Sequence, residues 1–159
     1  EHIELIDGEL VPMHSKGARH EWVRGVLQNY LVRRLPHDMM LYNEPGWRPG
    51  GDYYLEPDMI ICRAGPQPSA VPPSEVLLKV EVSDTSLAYD TGRKAAIYAR
   101  LGVPEYWIID VNRMTTRVHR GPTATGYSEI MTLPADQPIA ATGIPGFSAR
   151  LADLGIPPL

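Results

Sequence analysis

The chain has 159 residues, 43% of them apolar and 21% charged, with a net charge of −4. That length fits a single domain spanning 1–159, with a core that needs no covalent staples, and the lone Cys62 excludes an intrachain disulfide framework and any cysteine-based zinc site. No apolar run reaches the roughly 18 residues of a membrane span and no secretory signal is visible, so a cytoplasmic protein without a membrane partner is expected; a start at Glu1 in place of Met suggests that a few native residues precede it.

Ile3–Ile6, Asp7-Gly8 and Glu9–Val11 read as a β-hairpin, because Asp-Gly supplies the positive φ of a tight turn. From about Gly17 to Leu35 the spacing becomes helical. Trp22, Val26 and Tyr30 make one row and Val23, Leu27 and Leu31 another, which together predict a broad apolar face. Pro36 ends the helix, and His20 and Glu21 fall in its first turn. Lys16, Arg19, Arg24, Arg33 and Arg34 gather in this segment, a local basic patch of the kind that phosphate binding needs and that an acidic chain can still carry.

Met39–Asn43 predicts a short strand, followed by a Gly/Pro-rich loop over 44–52. Tyr53–Cys62 is expected to be extended, with Met59–Cys62 buried on both faces. After a Pro/Gly/Ser loop over 63–74, Val76–Ser83 alternates clearly: Val76, Leu78, Val80 and Val82 on one face, Leu77, Lys79, Glu81 and Ser83 on a more polar one. A helix from Asp90 or Thr91 to Leu101 is stopped by Gly102 and Pro104. Glu105–Val111 is a central strand, and Thr115–Arg120 and Tyr127–Leu133 are strands around a Gly121-Pro122 turn. The tail from Pro134 adds one small apolar cluster at Leu151 and Leu154. This order predicts an α/β domain on a mixed sheet, with additional hairpins at both ends.

Lys94, Ile97, Tyr98 and Leu101 share the helix face that should pack on the sheet. An inward lysine is costly unless a partner meets it; an i, i+4 pair with Asp90, or snorkelling at the helix edge, would account for it alone. Asp58 closes the Glu56-Pro57-Asp58 step ahead of one strand, and Glu81 lies near the end of the next. Two carboxylates on adjacent elements, with the Val82 carbonyl beside them, suit a hard divalent cation, Mg²⁺ or in its place Mn²⁺. Lys94 is then expected to stay charged, orienting water and steadying transition-state charge. Tyr98 is placed beside it at the site rim, Trp22 and Trp107 in the core, and Glu105 and Asp110 as caps of a buried strand. Ser83 and Ser86 have no histidine in reach by sequence, which disfavours a nucleophilic hydrolase, and no phosphate-cradling glycine loop is present.

Glu56-Pro57-Asp58, Glu81-Val82-Ser83, Lys94 and Gly102-Val103-Pro104-Glu105-Tyr106-Trp107-Ile108-Ile109-Asp110 resemble the Uma2 family; Asp7-Gly8-Glu9-Leu10 and Ile144-Pro145-Gly146-Phe147 extend the likeness over nearly the whole chain. That family is similar to the PD-(D/E)xK nucleases. The resemblance implies a restriction-endonuclease-like mixed β-sheet flanked by helices and Mg²⁺-dependent cutting of nucleic acid, DNA foremost. It makes Asp58 and Glu81 the catalytic acids and metal ligands, and it moves the catalytic lysine to Lys94, since Ser83 stands in the usual slot. It also offers Glu21 as an acid from the first helix, or His20 as the family's histidine; for both, a role in satisfying the first helical turn stays open. A homodimer would cut both strands of a duplex. A nuclease-like binding or assembly module that no longer cuts, and a metal-dependent hydrolase of a small phosphoester, are the rival readings. Asp58→Ala and Lys94→Ala are expected to fold normally while abolishing cleavage.

Overall fold

Asp7 and Gly8 both take positive φ, 52° and 78°, so β1 (Ile3–Ile6) turns directly into β2 (Glu9–Pro12) as the Asp-Gly pair requires. The computed structural model describes residues 2–159. Next comes α1 (Ala18–Arg34), which ends as Leu35 turns extended ahead of Pro36. Its buried residues are His20, Val23, Leu27 and Leu31. The expected second row reaches the core only in part: Val26 and Tyr30 pack against it half-buried, but Trp22 is 50% exposed. One stripe suffices because α1 lies against a single sheet face.

That sheet has six strands in the order β3 (Met39–Asn43), β4 (Met59–Arg63), β5 (Leu78–Ser83), β6 (Glu105–Asp110), β7 (Thr115–Thr123) and β8 (Gly126–Leu133). Only β5 and β6 run parallel, so the sheet is mixed as expected. Every residue of β5 and of β6 is buried. One face packs on α1 through Met59, Ile61, Val80, Val82, Trp107 and Ile109. The opposite face, with Ile60, Cys62, Tyr106 and Ile108, packs on Trp47 and on the helical crossover between β5 and β6. Burial of each large apolar side chain contributes on the order of 1.5–3 kcal/mol.

Several boundaries differ from the sequence expectation. Residues 53–58 form no continuous strand; Tyr54 and Leu55 make only isolated bridges, to Leu5 and Trp47, and Pro57 has no N–H to extend a ladder. β5 starts at Leu78, because a single 3₁₀ turn occupies Pro73–Glu75. β7 runs through Gly121 and Pro122 to Thr123, with Pro122 opposite Tyr127, so the reversal lies beyond the anticipated turn. The crossover helix begins earlier, as α2 (Leu87–Tyr89), a π-helical turn (Asp90–Lys94) and α3 (Ala95–Leu101). Gly102 caps it at φ 87°, a conformation that favours glycine. The tail buries far more than Leu151 and Leu154: the hairpin of β9 (Ile139–Ala140) and β10 (Ser148–Ala149), with Ile144, Phe147 and Ile156, joins the α1-side core. Isolated apolar residues between prolines and glycines carry no period, so this layer gave no sequence signal.

Candidate active site

β4 and β5 pair antiparallel with Met59 opposite Val80 and Ile60 opposite Lys79. Continuing that register by one residue sets Asp58 across from Glu81, on the face that carries α3. The Val82 N–H donates to Asp58 Oδ2 at 2.8 Å, fastening the acid at the head of β4 to the strand that bears Glu81. Lys94, from the π-helical turn, extends over the same place: its Nζ is 3.3 Å from Glu4 Oε1 and 3.9 Å from Glu81 Oε1. Asp58, Glu81, Val82, Lys94 and His20 thus line one cavity. A π-turn inside a helix often marks a functional position, and here it leaves both Asp90 and Lys94 buried.

The electrostatics of the two acids diverge. Burial works against the Asp58 charge, but the hydrogen bond and charge of His20, the Lys16 ammonium and the Val82 N–H outweigh it and hold the carboxyl below its usual range. Glu81 goes the other way: burial, with Asp58 and Asp90 nearby, pushes it up to about 8 even though Lys94 pulls it down. Lys94 is held well above the ordinary lysine range, since Glu81, Glu4 and Asp90 together overcome the effect of burial. That direction favours the charged form.

His20 and Glu21 separate. His20 is on the buried stripe of α1, with Nε2 3.4 Å from Asp58 Oδ2 and Nδ1 3.1 Å from Glu21 Oε1. Both ring nitrogens face carboxylates, an arrangement that a doubly protonated ring satisfies; burial opposes its charge, but Asp58 raises its pKa on balance. Glu21 is at the surface, paired to Arg24 at 2.7 Å, and does not line the cavity. It reaches the acids only through His20. Extending the Val23, Leu27, Leu31 row back one turn would have selected His20.

Neither simple account of Lys94 holds. Asp90 does not pair with it; the Asp90 carboxylate accepts the hydroxyls of Ser83 and of Ser86, the latter at 2.7 Å. Ser83, in the slot where a lysine was expected, is fully buried in that network. Glu4 was missed. It alternates with Ile6 on the inward face of β1, and its Oε1 also accepts the Glu56 N–H at 2.9 Å. Lys79 departs furthest from the more polar face assigned to it. Its amino group is fully buried between the rings of Trp47 and Tyr98, 3.7 and 3.9 Å from their centroids, with no hydrogen-bond acceptor. Burial drives its pKa well down, with Glu81 opposing. Tyr98 is in the core, not at the rim, and its hydroxyl donates to Glu81 Oε1 at 3.2 Å. Trp107 is core as expected, and Glu105 and Asp110 hold the ends of β6, Glu105 by accepting Trp107 Nε1 and Thr142 and Asp110 by capping the turn at Asn112 and Arg113.

The early basic segment is largely spent inside the molecule. Arg19 donates to the carbonyls of Val111 and Pro157, Arg24 pairs with Glu21, Arg34 lies near Asp153, and Lys16 bridges Glu44 and Asp58. A neighbouring hollow shares His14, Lys16 and Glu56 with the cavity and is also lined by His2, Glu21 and Glu44.

A divalent cation fits two features of this place. Asp58 Oδ1 is buried without a hydrogen bond, and Glu81 is a carboxylate whose charge lacks solvation. Among the described residues no three His, Cys, Asp or Glu side chains converge as a preformed cage. Two carboxylates with water filling the other positions is a normal Mg²⁺ arrangement.

The six-stranded mixed sheet flanked by helices, with two acids at facing strand ends, is a restriction-endonuclease-like α/β fold. Its architecture is similar to that of "a putative nuclease belonging to DUF820" from Anabaena variabilis, at a TM-score of 0.67 and 18% identity, over 96% of this chain and 88% of that one. No curated protein sequence matches the chain. The family model Uma2, described as "Putative restriction endonuclease", matches residues 1–153, and the chain belongs to that family. Among the described residues no helix is long and apolar enough to cross a membrane.

Proposed function

We propose that the protein is a nuclease, a Mg²⁺-dependent endonuclease that hydrolyses phosphodiester bonds in DNA, with Mn²⁺ able to substitute. The observation that carries this reading is the convergence of Asp58, Glu81 and Lys94 in one cavity, within a chain of a family described as "Putative restriction endonuclease". Asp58 and Glu81 would hold the cation, with the Val82 carbonyl as a third oxygen. Bound there, a divalent ion supplies an activated water and neutralises phosphoryl charge.

The chain's own residues supply the rest. Asp58 is kept ionised by His20, Lys16 and the Val82 amide, so one ligand is charged before any cation arrives. Glu81 takes up or releases a proton near neutrality, so its charge follows that of its surroundings. Lys94, fixed between Glu4 and Glu81, orients the attacking water and faces the charge that develops on the phosphate. His20 is fixed by Glu21 on one side and holds Asp58 on the other. Tyr98 holds Glu81 Oε1 from the core side. A homodimer would set two such centres on the two strands of a duplex.

The engagement of the nearby cations favours a second reading, a metal-dependent hydrolase of a small phosphoester, because Lys16, Arg19 and Arg24 are bound to partners within the molecule and do not form a basic groove for a long polyanion. A substrate panel separates the two: duplex DNA, single-stranded DNA, RNA and bis-p-nitrophenyl phosphate, each with Mg²⁺. Cleavage of duplex DNA supports the nuclease. Turnover of the small diester alone, with no cleavage or binding of nucleic acid, selects the second reading.

A further inference from the structure

Lys16 extends from the connection 13–17 between β2 and α1 and ends between two carboxylates. Its Nζ is 2.8 Å from Glu44 Oε1 and 3.3 Å from Asp58 Oδ1. Asp58 Oδ1 is the oxygen that receives no hydrogen bond, whereas Oδ2 is held by Val82 and His20. The ammonium therefore stands beside the one Asp58 oxygen free to bind a metal. Resting on the reading of Asp58 and Glu81 as metal ligands, we propose that Lys16 is a tethered counter-cation, which covers Asp58 in the metal-free protein and withdraws onto Glu44 when a divalent ion binds.

Three features of the molecule support this. First, ammonium and cation compete for one place. Mg²⁺ sits roughly 2.0–2.1 Å from its oxygens, and a positive charge that close to the same oxygen is repelled by it. Second, a resting position is built in. The Glu44 N–H donates to the Asp58 carbonyl at 2.9 Å, which pins Glu44 beside Asp58 at a positive φ of 49°. Its side chain is half-exposed and already holds Lys16, so the ammonium can leave Asp58 while keeping a partner and gaining water. Third, the connection can yield. Among the described residues His14, Ser15 and Lys16 make no backbone hydrogen bond, so a shift of this segment breaks no ladder. Lys94, by contrast, is buried against Glu4 and Glu81 and has no outward position.

Removing the ammonium should tighten metal binding, and removing its resting place should weaken it. The coupling between the two is diagnostic: in a K16M background the E44Q effect should vanish, whereas a plain loss of negative field at Glu44 would persist. The test is titration calorimetry of Mn²⁺ and Mg²⁺ into wild type, K16M, E44Q, K16M/E44Q and D58N, each first shown by thermal melting to be folded. We expect K16M to bind at least about ten-fold tighter, the effect of a partly screened unit charge within a few ångströms. E44Q should bind several-fold weaker, with the double variant equal to K16M. Equal affinity in wild type and K16M, lost in D58N, overturns the role of Lys16 and leaves the metal site standing. An E44Q effect undiminished in the double variant also overturns it. No binding by wild type or K16M overturns both the role and the site.

Discussion

The amide of Val82 donates to Asp58 Oδ2 at 2.8 Å, so the acid that opens β4 is fixed by the strand that carries Glu81. Asp58→Asn keeps an acceptor for that amide and removes the charge. It is expected to stay folded but to melt below wild type, because it loses the charge that Lys16 and His20 hold, and to lose metal-dependent cleavage by about 100-fold or more, the scale of losing a group that acts on transition-state charge. Asp58→Ala leaves the Val82 N–H unsatisfied and should cost a further 1–3 kcal/mol or so of stability. Urea unfolding of the two variants checks the difference.

Lys94→Ala is not expected to fold normally, contrary to the expectation from sequence. Glu4 and Glu81 are both buried against its ammonium, and removing one partner of a buried ion pair costs about 3–5 kcal/mol. Adding Glu4→Gln should recover part of that loss, because it removes one uncompensated charge. Chemical denaturation of the single and double variants measures the recovery; an unchanged single variant would show that Lys94 is not the partner of these acids.

The pH dependence of stability follows from Glu81. Its folded pKa, about 8, lies above its ordinary value of 4.5, so the folded protein binds more protons than the unfolded chain between those limits. The contribution of Glu81 to stability is therefore fully present below about pH 4.5 and is lost as pH rises through 8. Asp58 has the opposite sign: its contribution is present above 3.8 and lost as pH falls toward about 2. Glu81→Gln should flatten the slope above pH 4.5 in urea titrations across the range, leaving the acid limb in place. Below pH 8, metal binding should also release protons from Glu81, seen as a buffer-dependent binding enthalpy.

Lys79 carries a buried amino group with aromatic faces as its nearest partners, and burial disfavours its charged form. Lys79→Met fills the same space without a charge. It is expected to be neutral or to stabilise by about 1–3 kcal/mol, the cost of a buried polar group left without a hydrogen bond. A loss of stability in denaturant melts would show that the aromatic cage favours the cation more than these contacts imply.

Strand alternation and helix spacing made the backbone of the site readable. β5 alternation set Glu81 on the face opposite Val80 and Val82, which the structure shows to be the face away from α1, and the Lys94, Ile97, Tyr98 spacing turned Lys94 toward the sheet, where it is buried. Two kinds of information were out of reach. Glu4 and Lys16 enter from segments remote in sequence, and only the closed fold brings them to the site, although the alternation of Glu4 with Ile6 was a usable sign; Asp90 lay next to Lys94 in sequence, but its partners are Ser83 and Ser86. Which of His20 and Glu21 faces inward depended on where one helical stripe met the sheet. The broad two-row face hid that choice, and Trp22 at the surface shows why. The core built by the tail, from Ile139 to Ile156, had no period at all.

The most direct test of the central claim is cleavage of duplex DNA by wild type, Asp58→Asn and Glu81→Gln, in Mg²⁺, in Mn²⁺ and in excess chelator. The account predicts cutting by wild type with either cation, none in chelator, and none by the two folded variants. Absence of cutting by wild type under every condition, or equal cutting by Asp58→Asn, would contradict it.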